Sequence, residues 1–318
     1  MRAFRFPGLL CFSVLLFSCT AAPAATPTPA PTATVAPSPT VTLTPLPAPT
    51  VAPTPRPHAD RVVILSLDGL RPDGLLHASI PRISELINGG ASSFTAQTVL
   101  PSGTLPAHAS MLSGRCVSKH GITWNDWIPS AEPLQGDTVF SVAKDAGLRT
   151  VMVVGKEKLA TLARPGTVDT FLVSGSDIDI ARVALEQAAG GFGVLFVHFI
   201  LPDFMGHEYG WMSPEYLKGI GQDDKVVGTL VDGLRAEGLL DNALLILTAD
   251  HGGHDLTHGT DSEEDMTIPW IIYGTGVAAG EAISVPVLTM DTAATAVWGL
   301  GLAVPADWDG RPVVEAFG

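Results

Sequence analysis

Residues 61–69 read Arg61-Val62-Val63-Ile64-Leu65-Ser66-Leu67-Asp68-Gly69. An unbroken Val/Ile/Leu run of this length, with no polar alternation, indicates a strand covered on both faces, as in a parallel sheet flanked by helices. Runs of the same kind occur at 150–154, 193–200, 243–248 and 268–273. Between them lie stretches with helical spacing at 80–88, 138–145, 178–189 and 226–239, several ending in glycine (Gly89-Gly90, Gly147, Gly190-Gly191). Strand–helix alternation with glycine stops predicts an α/β domain: a mainly parallel, doubly wound sheet with helices on both faces. Residues 59–318 are long enough for this to be a single compact catalytic domain.

In such a sheet, ligands bind beyond the carboxyl ends of the strands. Asp68 ends the first run, Asp203 follows 195–202, and Asp250 follows 244–249. As turn formers, strand-end aspartates are ordinary. Three of them accompanied by His207, His251 and a further histidine are not. Carboxylate oxygens and imidazole nitrogens are what a pair of zinc ions requires, at about four ligands each. Thr104, in Pro101-Ser102-Gly103-Thr104-Leu105-Pro106, is expected to cap a helix. Its hydroxyl then lies at the positive helix end, where a phosphoryl group is favoured. Taken alone, Thr104 also reads as an ordinary cap.

The remaining polar residues carry weaker signals. His108, His120 and His198 read as packed structural histidines. Residues 261–265 (Asp261-Ser262-Glu263-Glu264-Asp265) read as a solvated charge run, and Lys156 and Lys158 as a lysine-rich helix start within reach of a substrate.

Outside the catalytic region the chain has a different character. Residues 1–19 form an export leader: Arg2 and Arg5 precede an apolar stretch too short to span a bilayer. Leu16-Phe17-Ser18-Cys19 resembles a bacterial lipobox, so Cys19 is expected to carry a lipid and anchor the chain to the outer face of the cell membrane; simple secretion is the alternative. Residues 20–58 are almost wholly Pro, Thr, Ala, Val, Ser and Leu, a composition that stays disordered and serves as a stalk or passive linker. Cys11 leaves with the leader and Cys116 has no expected partner. The 318 residues hold 18 Lys+Arg against 32 Asp+Glu, a formal net charge of −14. That balance argues against gripping duplex nucleic acid. It does not exclude a phosphate-ester substrate, because bound divalent ions reverse the local field.

Taken in order, Val63–Leu70 with Arg71-Pro72-Asp73, Thr104-Leu105-Pro106-Ala107-His108, Lys119-His120-Gly121-Ile122, Pro202-Asp203 with Gly206-His207 and Gly210, and Ala249-Asp250-His251-Gly252 resemble the type I phosphodiesterase/nucleotide pyrophosphatase family of the alkaline phosphatase superfamily. The resemblance implies an alkaline-phosphatase-like fold and two divalent metal ions, taken as Zn²⁺. Asp203, His207 and a late histidine would bind one ion; Asp68, Thr104, Asp250 and His251 would bind the other. Thr104 would be the nucleophile of two in-line displacements through a phosphothreonine. Asn125 would hold a phosphoryl oxygen.

Both His254 and His258 follow the Asp250-His251 pair. The longer spacing to His258 lets the loop swing across to the other ion, which favours His258. The short loop here and the aliphatic Leu105 after the nucleophile depart from nucleotide-cleaving relatives, leaving small or lipid-like diesters as open as nucleotides. A sulfatase would need Cys or Ser where Thr104 stands. A phosphomonoesterase shares the ligand set and would call for an additional Arg or Lys. An inactive surface-binding lipoprotein on the same fold is the reading from a different class.

Overall fold

Burial on both faces explains the unbroken apolar run: Val62 to Leu67 are all fully buried in the central strand β1 (Arg61–Leu67). The computed structural model describes residues 58–318; the leader with Cys11 and Cys19, and residues 20–57 of the linker, lie outside them. Each of those apolar side chains contributes on the order of 1.5–3 kcal/mol on burial.

Among the described residues β1 is joined by β2 (Ala91–Gln97), β3 (Thr150–Val154), β4 (Thr170–Val173), β5 (Val194–Phe199), β6 (Ala243–Thr248), β7 (Thr267–Gly274) and β8 (Glu281–Ala282). They form one sheet in the order β4-β3-β5-β1-β6-β7-β2-β8. The five strands from β4 to β6 run parallel, with Ser66 in register with His198 of β5 and Thr248 of β6. β7 is antiparallel to both β6 and β2, so the run at 268–273 belongs to an antiparallel flank of the mainly parallel sheet.

Helices cover the sheet in two groups. Helix Pro214–Ala236 packs on helices Pro81–Gly89, Asp177–Ala188 and Leu201–Tyr209. On the other side helix Asp291–Gly299 packs on helices Thr104–Ser113 and Val139–Asp145. The longest helix among the described residues starts at Pro214, well before the expected 226, behind the cap Ser213, whose hydroxyl accepts the Tyr216 amide. Four glycines (Gly219, Gly221, Gly228, Gly233) mask it in the sequence. They serve packing: a Cβ on Gly228 would lie 2.7 Å from Arg82, and one on Gly233 2.6 Å from Leu185. No helix among the described residues is long and apolar enough to cross a membrane.

Candidate active site

The carboxyl end of β1 delivers Asp68, fully buried, and Gly69 turns the chain with φ +68. A Cβ at Gly69 would lie 2.9 Å from the Asp203 Cα, so this position needs glycine both for its backbone angle and for close approach of the next element. The Gly69 amide donates to Asp250 Oδ1 at 3.1 Å, tying the ends of β1 and β6 together. Asp203 departs from the expected strand-end position: it lies in the first turn of helix Leu201–Tyr209, with His207 one turn further on the same face. The carboxylate of Asp177 accepts the Ile200 and Leu201 amides, each at 2.9 Å, and so fixes the angle at which this helix leaves β5.

Two acid–histidine clusters result. In one, Asp203 Oδ1 lies 3.4 Å from His207 Nε2 and 3.7 Å from His258 Nε2. In the other, His251 Nε2 lies 3.3 Å from Asp68 Oδ1 and 3.4 Å from Asp250 Oδ2. Within each trio the candidate ligand atoms lie within 4.8 Å of one another. The rings of His251 and His258 stack at 3.7 Å, placing the clusters side by side.

The chemistry of these donors suits divalent ions. His207, His251 and His258 each direct Nδ1 at a backbone carbonyl, respectively Leu256, Gly252 and Ser102, at 2.7–2.9 Å. An Nδ1–H donated there leaves the Nε2 lone pair facing the cluster. Asp68 Oδ1, Asp203 Oδ1, Asp250 Oδ2 and His251 Nε2 are buried with no hydrogen-bond partner. Unpartnered polar atoms are costly in an interior, and four of them converging on two points could hold cations.

His254 belongs elsewhere. Its Nδ1 meets Asp265 Oδ1 at 2.7 Å, away from both clusters. Asp265 corrects the reading of 261–265 as a solvated run: it is fully buried, accepts the Thr260 amide and hydroxyl, and its carbonyl accepts the Gly252 amide. That network holds the loop from His251 to His258. At Gly252 a Cβ would lie 1.9 Å from the Glu264 carbonyl oxygen, so the chain after His251 has room only for glycine.

Thr104 opens helix Thr104–Ser113, but the cap is Gly103. The threonine hydroxyl is therefore not spent on capping, contrary to the expectation from sequence. It lies 3.3 Å from Lys156 Nζ, which also meets Asp68 Oδ2 and Asp203 Oδ2 at 2.6 Å each. The nucleophile candidate thus shares one ammonium with a carboxylate from each cluster. Asn125 Oδ1 accepts the Leu105 amide at 2.9 Å, and its amide group lies 3.2 Å from where a Gly103 Cβ would be. Leu105 is fully buried and presents no surface for stacking.

Mutual charge sets the proton affinities. Burial alone would push the Asp68 carboxyl up, but Lys156, His198 and His251 hold it well below the usual carboxylate range. Burial and Asp68 oppose ionisation of Asp203, yet His207 and Lys156 bring it to about 2. Burial would lower Lys156; Asp68 and Asp203 reverse that and keep it firmly protonated. His258, buried and next to His251, falls to about 4, a neutral imidazole suited to ligation. His251 rises to about 9 against the pull of burial, because Asp250 and Asp68 face it. A cation bound there would take the place of that proton.

Of two further residues near the clusters, His198 reads as structural in the sequence and Lys156 as part of a lysine-rich helix start within reach of a substrate. His198 Nε2 holds Asp68 Oδ2 at 2.8 Å, and Lys156 stands between the clusters. Parallel register explains both: Ser66, His198 and Val154 are neighbours across β1, β5 and β3, so Asp68 and Lys156, each two residues on, continue the same face. His108 is fully buried between Ser66 Oγ and the Thr104 carbonyl and anchors the start of the Thr104 helix. A recess of about 750 Å³ lies among helices Asp177–Ala188, Leu201–Tyr209 and Pro214–Ala236 and is lined by Ile178, Leu201, Phe204 and Val226. None of the clustered ligands lines it.

The fold agrees with what the chain is similar to. The model for "Type I phosphodiesterase / nucleotide pyrophosphatase" matches residues 62–267, and the chain belongs to that family of hydrolases. Human GPI ethanolamine phosphate transferase 2, catalytic subunit, is 29% identical over 81% of this chain and 28% of its own length. Rat ectonucleotide pyrophosphatase/phosphodiesterase family member 1 is 29% identical over 60% of this chain and 24% of its own length. The chain thus spans about a quarter of these curated relatives. Among solved structures, murine ectonucleotide pyrophosphatase/phosphodiesterase 5 superposes with a TM-score of 0.70 at 16% identity, covering 81% of this chain and 100% of that one. The phosphonate monoester hydrolase of Silicibacter pomeroyi gives 0.61 at 15% identity, covering 80% and 75%. These likenesses establish an alkaline-phosphatase-like fold.

Proposed function

We propose that this chain is an exported, two-zinc hydrolase of phosphate esters that works through a phosphothreonine at Thr104. The observation that carries the reading is the position of the Thr104 hydroxyl beside an ammonium shared by Asp68 and Asp203, one carboxylate from each orphaned cluster. Asp203, His207 and His258 would hold one ion, and Asp68, Asp250, His251 and the Thr104 oxygen the other. Ions bound there would supply Lewis acidity, lowering the proton affinity of the hydroxyl and stabilising charge on the departing oxygen.

The chain's own groups then account for the geometry. Thr104 Oγ1 gives its proton to solvent and attacks phosphorus as the bond to the leaving oxygen breaks, and the departing group takes a proton from solvent. Lys156, kept protonated by its carboxylates, stabilises the developing alkoxide and is not the base. Asn125 is placed to donate its amide to a phosphoryl oxygen while its carbonyl remains on the Leu105 amide. Water then attacks phosphorus from the opposite side, the Oγ1–phosphorus bond breaks, and two inversions leave configuration retained.

The test is turnover of nitrophenyl phosphate or bis-nitrophenyl phosphate by the full chain. Chelation should remove at least about 99% of activity, and zinc should restore it. Activity that survives exhaustive chelation contradicts the reading. The lipid anchor rests on Leu16-Phe17-Ser18-Cys19. Cys19→Ser is expected to move the protein from the membrane fraction to the soluble fraction, and an unchanged distribution excludes acylation at Cys19.

A further inference from the structure

Lys158 poses a question that the ester-hydrolase reading leaves open. It is half-buried and, among the described residues, has no carboxylate at ion-pair distance; Lys218 and Lys225, also unpaired, are exposed. In a protein of net charge −14, a half-buried ammonium without an acidic partner is suited to pairing with an anionic ligand. Its Nζ instead lies 3.1 Å from Asn125 Oδ1, and that same oxygen accepts the amide of Leu105, the residue after the nucleophile. Lys156, two residues earlier on the segment leaving β3, lies 3.3 Å from the nucleophile oxygen itself. Two ammoniums therefore border the space above Thr104, Lys156 from the cluster side and Lys158 from the Asn125 side.

We propose that Lys156 and Lys158 form a cradle for a phosphoryl group bearing two negative charges, so that this site prefers the terminal phosphate of a monoester over a diester. The inference rests on the hydrolase reading for the location of the reacting phosphorus. Charge balance supports it. Asp68, Asp203 and Asp250 offset part of the charge of two divalent ions, and two lysines on top of that leave a surplus of positive charge. A diester supplies one negative charge and a monoester two; moreover, a second esterified oxygen placed beside Lys158 would offer no charge to pair with it. Lys156 makes ion pairs with metal-cluster carboxylates, so its removal would also disturb those clusters. Lys158 makes none and isolates the effect.

The experiment compares the zinc-loaded full chain with Lys158→Ala and Lys158→Arg, measuring kcat/KM for nitrophenyl phosphate and bis-nitrophenyl phosphate. The wild type is expected to favour the monoester. Lys158→Ala is expected to slow both esters, the monoester by roughly 100-fold more, while Lys158→Arg keeps the ratio within about tenfold of wild type. Equal losses on both esters, or an unaltered ratio, overturn the cradle while leaving the hydrolase intact. A calorimetric titration with inorganic phosphate separates the two claims. If the wild type hydrolyses neither ester, the hydrolase reading fails. Phosphate affinity then decides the cradle alone: a loss of about tenfold or more in Lys158→Ala upholds it, and equal affinity overturns it.

Discussion

Thr104→Ala should lose roughly 10⁴-fold in kcat/KM on either nitrophenyl ester, about 5 kcal/mol of transition-state stabilisation, while retaining most of its zinc. The reasoning is local. Thr104 is the first residue of its helix, its hydroxyl makes no capping bond, and Gly103 supplies the cap. Removing one oxygen and one methyl group therefore leaves the helix intact, and the six Asp and His ligands stay in place. A purely structural threonine would behave differently: its loss would lower stability and leave turnover at a similar level. Zinc analysis beside kinetics on the same sample separates the outcomes, and a variant that keeps more than about a tenth of wild-type activity removes the covalent step.

The second large effect is on metal content. Asp203→Asn and Asp250→Asn should each hold about one equivalent of zinc where the wild type holds two, with activity down by on the order of 10³-fold in both. Amide replacements suit these positions. Asp250 Oδ1 accepts the Gly69 amide, a bond that an asparagine carbonyl preserves. In Asp203→Asn the charge facing Lys156 and His207 is lost while the helix turn set by Asp177 remains. Mass spectrometry under native conditions reads the stoichiometry directly. Two equivalents retained in both variants would mean that these carboxylates are not ligands.

Much of this arrangement was legible in the residues themselves. Runs such as 61–67 and 243–248 are buried on both faces, so they carry the parallel sheet in composition alone, and Asp68 and Asp250 follow as strand-end groups. What escaped reading depends on contacts made across the fold. β2 (Ala-Ser-Ser-Phe-Thr-Ala-Gln) has no unbroken apolar run to mark it as a strand, and its register with β7 shifts between Ser93 and Ala96. Asp265 looked like part of a solvated run because nothing local shows that it braces the loop from His251 to His258. Lys156 and His198 acquire their places only through the β3–β5–β1 register, which no short window contains. Between His254 and His258 the loop-length argument favoured the histidine that lies in the Asp203 cluster, and the Nδ1 bond to the Ser102 carbonyl supplies the physical reason for its orientation.

The account turns on one oxygen becoming bonded to phosphorus. Full-length protein mixed with saturating nitrophenyl ester, quenched in acid within milliseconds and digested, should yield a peptide containing Thr104 that is heavier by one phosphoryl group, with fragmentation placing the group on that residue. The same peptide from Thr104→Ala should be unmodified. Rapid turnover with no phosphorylated Thr104 at any quench time, or with the group on another side chain, would contradict the mechanism proposed for this site.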